Sequence, residues 1–324
     1  MKAIVQEGYG SPDVLRLREV DRPPTPGEDG VLVEVHAASL NALDWHLARG
    51  VPVFLRAMEA IGAPKHRVRG VDLAGRVTAV GPGVTRFRVG DEVFGGADGS
   101  FAEFVVTREK RLAHKPAGVT FEQAATLHVA GLTALQGLRD RARLGAGQRV
   151  LVNGAGGGVG TFAVQIAKWL GARVTAVTRA ASLELVRSLG ADEVVDHGAE
   201  DFTRRGERWD VLFDVGGNHP FRRCRRVLTR DGILVAIGGP AGRFLAPASR
   251  LFNAVVLSAV TRRPRITPFV AKSHPGDLAL LADLVERGAL VPVIQRRYPL
   301  DETARALRDL GSGAVQGKLV VNVR

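Results

Sequence analysis

The residues with the clearest chemical signature form a glycine-rich turn between a predicted strand and a predicted helix. A short apolar run covers 149–152, and apolar residues recur at helical spacing over 159–170. Between them the spacing is Ala-x-Gly-x-x-Gly, where the usual dinucleotide-binding pattern opens with glycine. The residues expected to contact the cofactor are Ala155, Gly157, Gly158, Val159 and Gly160.

The two outer glycines of this turn have separate tasks. Gly157 would let the backbone approach a pyrophosphate, and Gly160 would let the helix lie close to the strand. The first amides of the helix, together with its dipole, would bind the anion. The alternative is a tight turn in a protein with 39 glycines.

The end of the next predicted strand, 173–178, discriminates between the two nicotinamide dinucleotides. An acid about 20 residues beyond the glycines would hold the ribose of NAD. This chain has Thr178 and Arg179 there. A hydroxyl and a permanent cation suit a 2′-phosphate, so the sequence predicts NADPH. The alternative is a solvated surface arginine.

Composition sets limits on the class of protein. With 324 residues and 45% hydrophobic content, the chain can bury a large core in two domains. Its net charge of +12 would attract an anionic cofactor and leaves nonspecific nucleic-acid contact open. One cysteine, Cys224, excludes an internal disulfide and a cysteine-based zinc cluster. We expect a cytoplasmic protein, because neither a signal peptide nor a membrane-spanning run is visible.

The pattern of predicted elements changes at about residue 119. Before it, short strand-like runs broken by Gly and Pro indicate an antiparallel, barrel-like domain. After it, a long helix over 121–141 begins an alternation of helices and strands, which indicates a parallel sheet covered on both faces. We predict one domain from residues 1–118 and 271–324 and a second from 119–270, with a loop-rich apolar segment over 240–275.

Ordered motifs along the whole chain resemble the medium-chain dehydrogenases/reductases, and within them the zinc-free quinone oxidoreductase-like branch. The motifs include Asn41-Ala-Leu-Asp44, Gly70-Val-Asp72-Leu-Ala-Gly75, Arg88-Val-Gly-Asp91, Ala130-Gly131-Leu-Thr133-Ala134, Ser188-Leu-Gly-Ala-Asp192 and Gly317-Lys318. The resemblance implies an α/β protein with a GroES-like antiparallel β-barrel catalytic domain plus a Rossmann doubly wound parallel-sheet domain. It also implies an active site in the cleft between the two.

The resemblance further implies that the catalytic metal is missing. Zinc-bearing relatives place their ligands at the positions that here read Asn41, Val71 and Ala130. Of these only asparagine could coordinate even weakly, so the site cannot hold zinc with three N or S ligands. Without a Lewis acid, substrates already activated by conjugation are favoured, and reduction of an enone or a quinone by hydride transfer fits.

Three polar residues at cleft positions of the family are candidates for the substrate's oxygen and proton. Asn41 would donate to the substrate oxygen, or is a turn asparagine before a helix. His46 stands where many quinone reductases carry Tyr and would supply a proton, or is a surface histidine. His128 stands where relatives commonly have Pro, and either reaches the cleft or, as we favour, is a satisfied interior group. Asp44 and Asp72 match acidic family positions as a helix cap and an anchor.

The same resemblance adds cofactor contacts beyond the glycine turn. They are Thr133 near the nicotinamide, Gly216, Asn218, Gly238 and Gly239 after two predicted strands, and Lys318 in the terminal Gly-Lys motif. Ligands bind at the carboxyl ends of parallel strands in doubly wound sheets, which is where these glycines are expected. The alternative is a set of turn glycines and a strand-end lysine.

The sequence therefore predicts an NADPH-dependent, zinc-independent reductase of an activated C=C bond or a quinone. Its expected partners are a small apolar conjugated substrate and a second copy of the chain. A second possibility is a pathway-specific tailoring reductase or redox-neutral enzyme of secondary metabolism, because this branch varies its chemistry by changing the pocket. A third is a nucleotide-bound RNA-binding or interaction protein without turnover.

Overall fold

The computed structural model describes residues 1–51, 64, 66–237, 253–254, 256–257 and 263–324. Two compact units emerge. The first comprises Met1–Ala130, Lys272–Gly288 and Pro292–Arg324, and the second comprises Gly131–Ala271 and Ala289–Val291. The domain boundaries read from the sequence stay a prediction. No helix within the described residues is both long enough and apolar enough to cross a membrane.

The strands and helices alternate in a different way in the two units. The chain begins with β1 (Lys2–Gln6), β2 (Leu15–Glu19), β3 (Gly30–Ser39), α1 (Ala42–Arg49), β4 (Asp72–Val80), β5 (Glu92–Gly96), β6 (Phe104–Arg108), β7 (Leu112–His114) and α2 (Phe121–Ala125). The second unit adds α3 (Leu132–Gln136), β8 (Arg149–Asn153), α4 (Gly158–Trp169), β9 (Arg173–Thr178), α5 (Leu183–Ser188), β10 (Glu193–Asp196), β11 (Trp209–Asp214), α6 (Phe221–Arg226), β12 (Leu228–Ala236) and β13 (Arg265–Pro268). The chain then returns to the first unit with α7 (Pro275–Glu286), β14 (Ile294–Pro299), α8 (Thr303–Gly311) and β15 (Lys318–Asn322).

The first unit is organised around a seven-stranded sheet with the order β14-β15-β3-β4-β5-β7, on which β6 also pairs with β3. Val31, Val33 and Val35 of β3 are fully buried, because alternate residues of a strand face the same side of the sheet. The strands pair antiparallel, as predicted, except that β14 and β15 are parallel. This exception arises because α8 connects the two strands as a crossover helix.

The second unit contains a six-stranded sheet with the order β10-β9-β8-β11-β12-β13, and every pair in it is parallel. This confirms the predicted doubly wound sheet, whose strand order reverses between β8 and β11. Its core includes Trp209, Leu212 and Leu234, each fully buried. In such sheets ligands bind outside the carboxyl ends of the strands, at the point where the order reverses.

Two local expectations differ from the structure. The predicted helix over 121–141 consists of α2, a π-helical turn at Leu127–Gly131, α3 and a second π-helical turn at Gly137–Ala142. The segment 240–275, expected to be loop-rich, contains β13, although most of it lies outside the described residues. Pro268 argues against a strand in the sequence, but it is tolerated because β13 is an edge strand.

Candidate functional site

A fully buried carboxylate, Asp72, lies at the centre of a polar cluster in the first unit. Its donors come from distant parts of the chain: Ser39 Oγ at 2.7 Å, Asn41 Nδ2 at 2.9 Å and Lys318 Nζ at 3.3 Å on Oδ2, and His128 Nδ1 and the Val129 amide, both at 3.1 Å, on Oδ1. Burial raises the pKa of Asp72, but the Lys318 ammonium and His128 outweigh that effect and hold it at about 2. Asp72 therefore stays ionised and acts as the anchor that the sequence suggested.

Lys318 begins β15 and is only 3% exposed. Its ammonium donates to Leu40 O at 2.8 Å, to Asn41 Oδ1 at 2.6 Å and to Asp72 Oδ2 at 3.3 Å. These three acceptors match the three hydrogens of the ammonium group. Burial lowers the pKa of Lys318, and the carboxylates of Asp72 and Asp44 oppose that shift. The structure thus gives Lys318 a buried structural role, and its approach to a cofactor stays a prediction.

The carboxamide of Asn41 is held in one orientation. Its Oδ1 accepts from Lys318, and its Nδ2 donates to Asp72. A lysine can only donate and an ionised carboxylate can only accept, so the oxygen and nitrogen of the amide cannot be exchanged. Among the described residues, no acceptor bonds the second Nδ2 hydrogen of this side chain, which is 7% exposed. Asn41 also precedes α1, so both roles considered for it are compatible.

His128 is 5% exposed, and both of its ring nitrogens have partners. Nδ1 lies 3.1 Å from Asp72 Oδ1, and Nε2 lies 2.7 Å from Ser273 Oγ. The ring packs against Gly96, where a Cβ would lie 2.2 Å from His128 Cε1. His128 is therefore a hydrogen-bonded interior group. Ser273 has no recognisable motif around it, and sequence reasoning missed it.

His46 lies on α1, and within the described part of the chain it makes no hydrogen bond to the side chains of Asn41, Asp72 or His128. Its Nδ1 is 3.0 Å from Val51 O. Burial lowers the pKa of His46, which favours the neutral ring. Among the described residues, the hydrogen-bonded cluster around Asp72 therefore does not include this candidate proton source.

Asp44 caps the first turn of α1. Its Oδ2 accepts the Asn41 backbone N–H at 2.8 Å, as expected for a helix cap. The side chain is buried, and burial raises the pKa of Asp44 to about 7, with a further contribution from the charge of Asp72. Asp44 therefore exchanges its proton near neutral pH.

In the second unit, the glycine turn presents backbone donors at the start of α4. Gly157 precedes the helix, no side chain caps it, and Thr161 N makes the first bond back to Gly157 O. The amides of Gly158, Val159 and Gly160 are consequently outside the intrahelical hydrogen-bond pattern and suit an anion. Ala155, the residue that replaces the first glycine of the motif, is fully buried.

Three glycines of the turn are needed for different reasons. A Cβ at Gly160 would lie 2.1 Å from Gly154 O, so the absence of a side chain lets α4 pack on the turn. At Gly157 the nearest atom, Gly154 O, would be 3.6 Å away, so a side chain there would meet little protein. Gly156, which sequence reasoning did not single out, would place a Cβ 2.5 Å from Thr178 Oγ1. This close approach brings Thr178, buried at the end of β9, beside the turn, with the partly exposed Arg179 next to it.

Polar side chains tie together β8 and β11 where the strand order reverses. Asn153 Nδ2 donates to Asp214 Oδ1 at 2.7 Å and to Asn218 Oδ1 at 2.8 Å. The Gly216 amide donates to Asn153 O at 3.1 Å. Gly216 and Asn218 therefore lie at the edge where ligands bind in this fold.

The remaining predicted site residues are less informative. Thr133 lies in α3 of the second unit and is mostly buried. Gly238 and Gly239 lie outside the described residues. Within the described ranges, no group of three His, Cys, Asp or Glu side chains could hold a metal ion.

Comparison with known proteins gives matches over both parts of the chain. The family described as alcohol dehydrogenase GroES-like domain matches residues 27–117, and the one described as zinc-binding dehydrogenase matches residues 189–321. A chloroplast envelope quinone oxidoreductase homolog of Arabidopsis thaliana is 34% identical over 99% of this chain and 98% of its own. An NADPH-dependent alkenal/one oxidoreductase of the same plant is 34% identical over 99% of this chain and 79% of its own. Escherichia coli quinone oxidoreductase complexed with NADPH superposes with a TM-score of 0.84, at 25% identity, over 99% of this chain and 100% of its own.

The buried carboxyl of Asp44 is expected to make stability fall as pH rises. Its folded-state pKa of about 7 lies above the ordinary 3.8, so between these values the folded protein holds a proton that the unfolded chain has released. Asp44→Asn keeps an oxygen for the Asn41 amide and removes the titration, so it should flatten this slope. Urea unfolding at several pH values between about 4 and 8 measures how the free energy of unfolding changes with pH. The exposed Asp21→Asn serves as control, and an equal slope of stability against pH in the wild type and in Asp44→Asn would contradict the assignment.

Proposed function

Because the chain belongs to the medium-chain dehydrogenases/reductases, in their quinone oxidoreductase-like branch, we propose that it reduces enones or quinones with NADPH and without zinc. The observation that carries the proposal is the oriented carboxamide of Asn41. Lys318 and Asp72 fix which end of the amide is the donor, and the second Nδ2 hydrogen, which no acceptor among the described residues bonds, would be donated to a substrate oxygen. Hydrogen bonding there stabilises the negative charge that develops as a conjugated carbonyl accepts a hydride.

The second unit carries groups that fit a phosphorylated dinucleotide. The amides of Gly158, Val159 and Gly160 suit the pyrophosphate, and Gly157 leaves space for its approach. Thr178 and Arg179 suit a 2′-phosphate. When bound, the cofactor supplies the hydride. The protein would bind this anionic cofactor and orient it at the sheet edge where Asn153 and Asp214 lie. It would also polarise the substrate.

Zinc independence rests on the donor set of the Asp72 cluster. Lys318 donates to the Asn41 oxygen, the atom that a metal would need, and that oxygen is therefore already used. The ammonium also places a positive charge beside any incoming cation. The Asp72 cluster accommodates a buried ion pair rather than a metal ion. We therefore propose that the substrate oxygen is polarised by hydrogen bonding alone.

The partners follow from the same chemistry. A substrate that accepts hydride without a metal must carry its own conjugated electron sink, so we propose a small apolar enone or quinone. We also propose a homodimer and a cytoplasmic location. Names of relatives point to quinone and alkenal reduction, so neither a redox-neutral tailoring reaction nor an RNA-binding role is favoured.

Substitution at the glycine turn is expected to separate cofactor binding from folding. Gly157→Ala has an ordinary backbone conformation and little protein near its new Cβ, so it should fold normally while crowding the bound anion. Its dissociation constant for NADPH should rise about 10-fold or more, the loss of one hydrogen bond to a charged group. Gly160→Ala is the matched comparison, because its Cβ would clash with Gly154 O and lower the thermal stability. Calorimetric titration and thermal unfolding of both variants measure the two effects, and normal NADPH binding by Gly157→Ala would argue against this site.

The function itself is tested by NADPH oxidation with a panel of enones and quinones, repeated with NADH and after metal analysis. We expect turnover without stoichiometric zinc and a preference for NADPH. Arg179→Ala should lower kcat/KM for NADPH by about 10- to 100-fold, as loss of a charged hydrogen bond implies, and leave NADH unaffected. Arg173→Ala, at the opposite end of β9, is the control. Bound zinc in active protein, or an unchanged NADPH preference in Arg179→Ala, would overturn the respective part of the proposal.

A further inference from the structure

Three side chains of the first unit form a hydrogen-bonded chain that runs from the surface into the protein. Ser273 Oγ lies 2.7 Å from His128 Nε2, and His128 Nδ1 lies 3.1 Å from Asp72 Oδ1. Exposure falls along this chain, because Ser273 is partly exposed, His128 is 5% exposed and Asp72 is fully buried. The arrangement therefore connects the hydroxyl of a partly exposed residue to a buried carboxylate through an imidazole.

The negative charge of Asp72 determines which nitrogen of His128 can exchange a proton in this series of hydrogen bonds. The carboxylate stays ionised, so it accepts a hydrogen bond and Nδ1 of His128 must carry a hydrogen. The ring can therefore gain or lose a proton only at Nε2. Oγ of Ser273 is the group bonded to that nitrogen, and a hydroxyl both donates and accepts. Any proton that leaves the ring on this side passes to Ser273.

The packing around the imidazole supports a fixed orientation. Gly96 lies against the ring so closely that a Cβ there would be 2.2 Å from Cε1. The amide of Val129, the next residue, bonds the same Asp72 oxygen as the ring does. Both groups hold His128 with Nε2 directed at Ser273, and this orientation is what a proton transfer between them requires.

We propose that Ser273 is the catalytic proton donor of the reaction and that His128, held by Asp72, resupplies its proton. This inference rests on the proposed function. The β-carbon of the enone accepts a hydride from the reduced cofactor, and the C=C electron pair moves to form an enolate. The α-carbon of the enolate takes the hydroxyl proton of Ser273, while Oγ takes the Nε2 proton of the His128 imidazolium. A solvent proton then returns to Nε2 of the neutral ring through Ser273 Oγ, so one hydride and one proton are consumed for each ketone formed.

Asp72 links this proton donor to the group that binds the substrate oxygen. Its Oδ2 accepts from Asn41 and its Oδ1 accepts from His128. One carboxylate thereby orients both the amide that stabilises the enolate and the imidazole that supplies the proton. His46 shares no partner with this carboxylate among the described residues, and for this reason we assign the proton to Ser273 rather than to His46.

The test compares Ser273→Ala with Ser273→Thr, which keeps the hydroxyl. An α-substituted enone is reduced in ²H₂O, and the rate and the configuration at the deuterated α-carbon are measured. We expect Ser273→Ala to lose about 100-fold in kcat, at the low end of what general acid catalysis contributes, with NADPH affinity unchanged. The enolate is then protonated by solvent after release, so deuterium appears in both configurations. Ser273→Thr should keep most of the rate and the single configuration of the wild type.

The outcomes separate this inference from the proposed function. If the wild-type protein oxidises NADPH with neither enones nor quinones, the proposed function fails. If the wild type turns over, and Ser273→Ala keeps both the wild-type rate and a single product configuration, Ser273 is not the proton donor. A rate loss in Ser273→Ala accompanied by an equal loss in Ser273→Thr also overturns the inference, because the hydroxyl then has no role.

Discussion

The ion pair between Asp72 and Lys318 imposes the strongest constraint on the first unit. Removing each charge from water costs several kcal/mol, and their attraction offsets this only if the remaining hydrogen-bonding positions are filled. Asp72 has five donors and Lys318 has three acceptors within hydrogen-bond distance. The ends of β3, β4 and β15 and the turn at His128 must therefore meet at one point. The candidate site is positioned by this requirement.

In the second unit, the candidate binding site is formed by backbone amides rather than by side chains. Its ligand is expected to be an anion, so it needs amides that are not used elsewhere, and a close approach to them. Gly160 lets α4 pack on the turn, and Gly156 lets the turn pack on Thr178. A side chain at either position would displace the amides that follow. Asp214 and Asn153 then join the two strands between which the order reverses.

The sequence predicts those features that depend on local pattern. The glycine turn and the parallel sheet follow from residue spacing within one or two elements, whereas the family resemblance drew attention to Asp44 as a helix cap. The partners of Asp72 do not follow from such spacing, because Lys318 lies 246 positions away and Ser273 lies 145 positions from His128. Family resemblance drew attention to Asn41, His128 and Lys318 separately, but only the structure joins the three through one carboxylate. The sequence did not predict β13, because it contains Pro268 and begins with a charged residue; among the described residues this strand has a neighbour on one side only.

The same ion pair limits the chemistry that Asn41 can perform. Lys318 is the nearest positive charge, but its three hydrogens are directed at Leu40, Asn41 and Asp72, so none remains for a substrate. A developing oxyanion would meet a neutral amide instead, and a hydrogen bond from a neutral donor is weaker than one from a cation. An isolated ketone would place the full charge on its oxygen. A conjugated acceptor spreads that charge over several atoms, and the weaker donor is then sufficient.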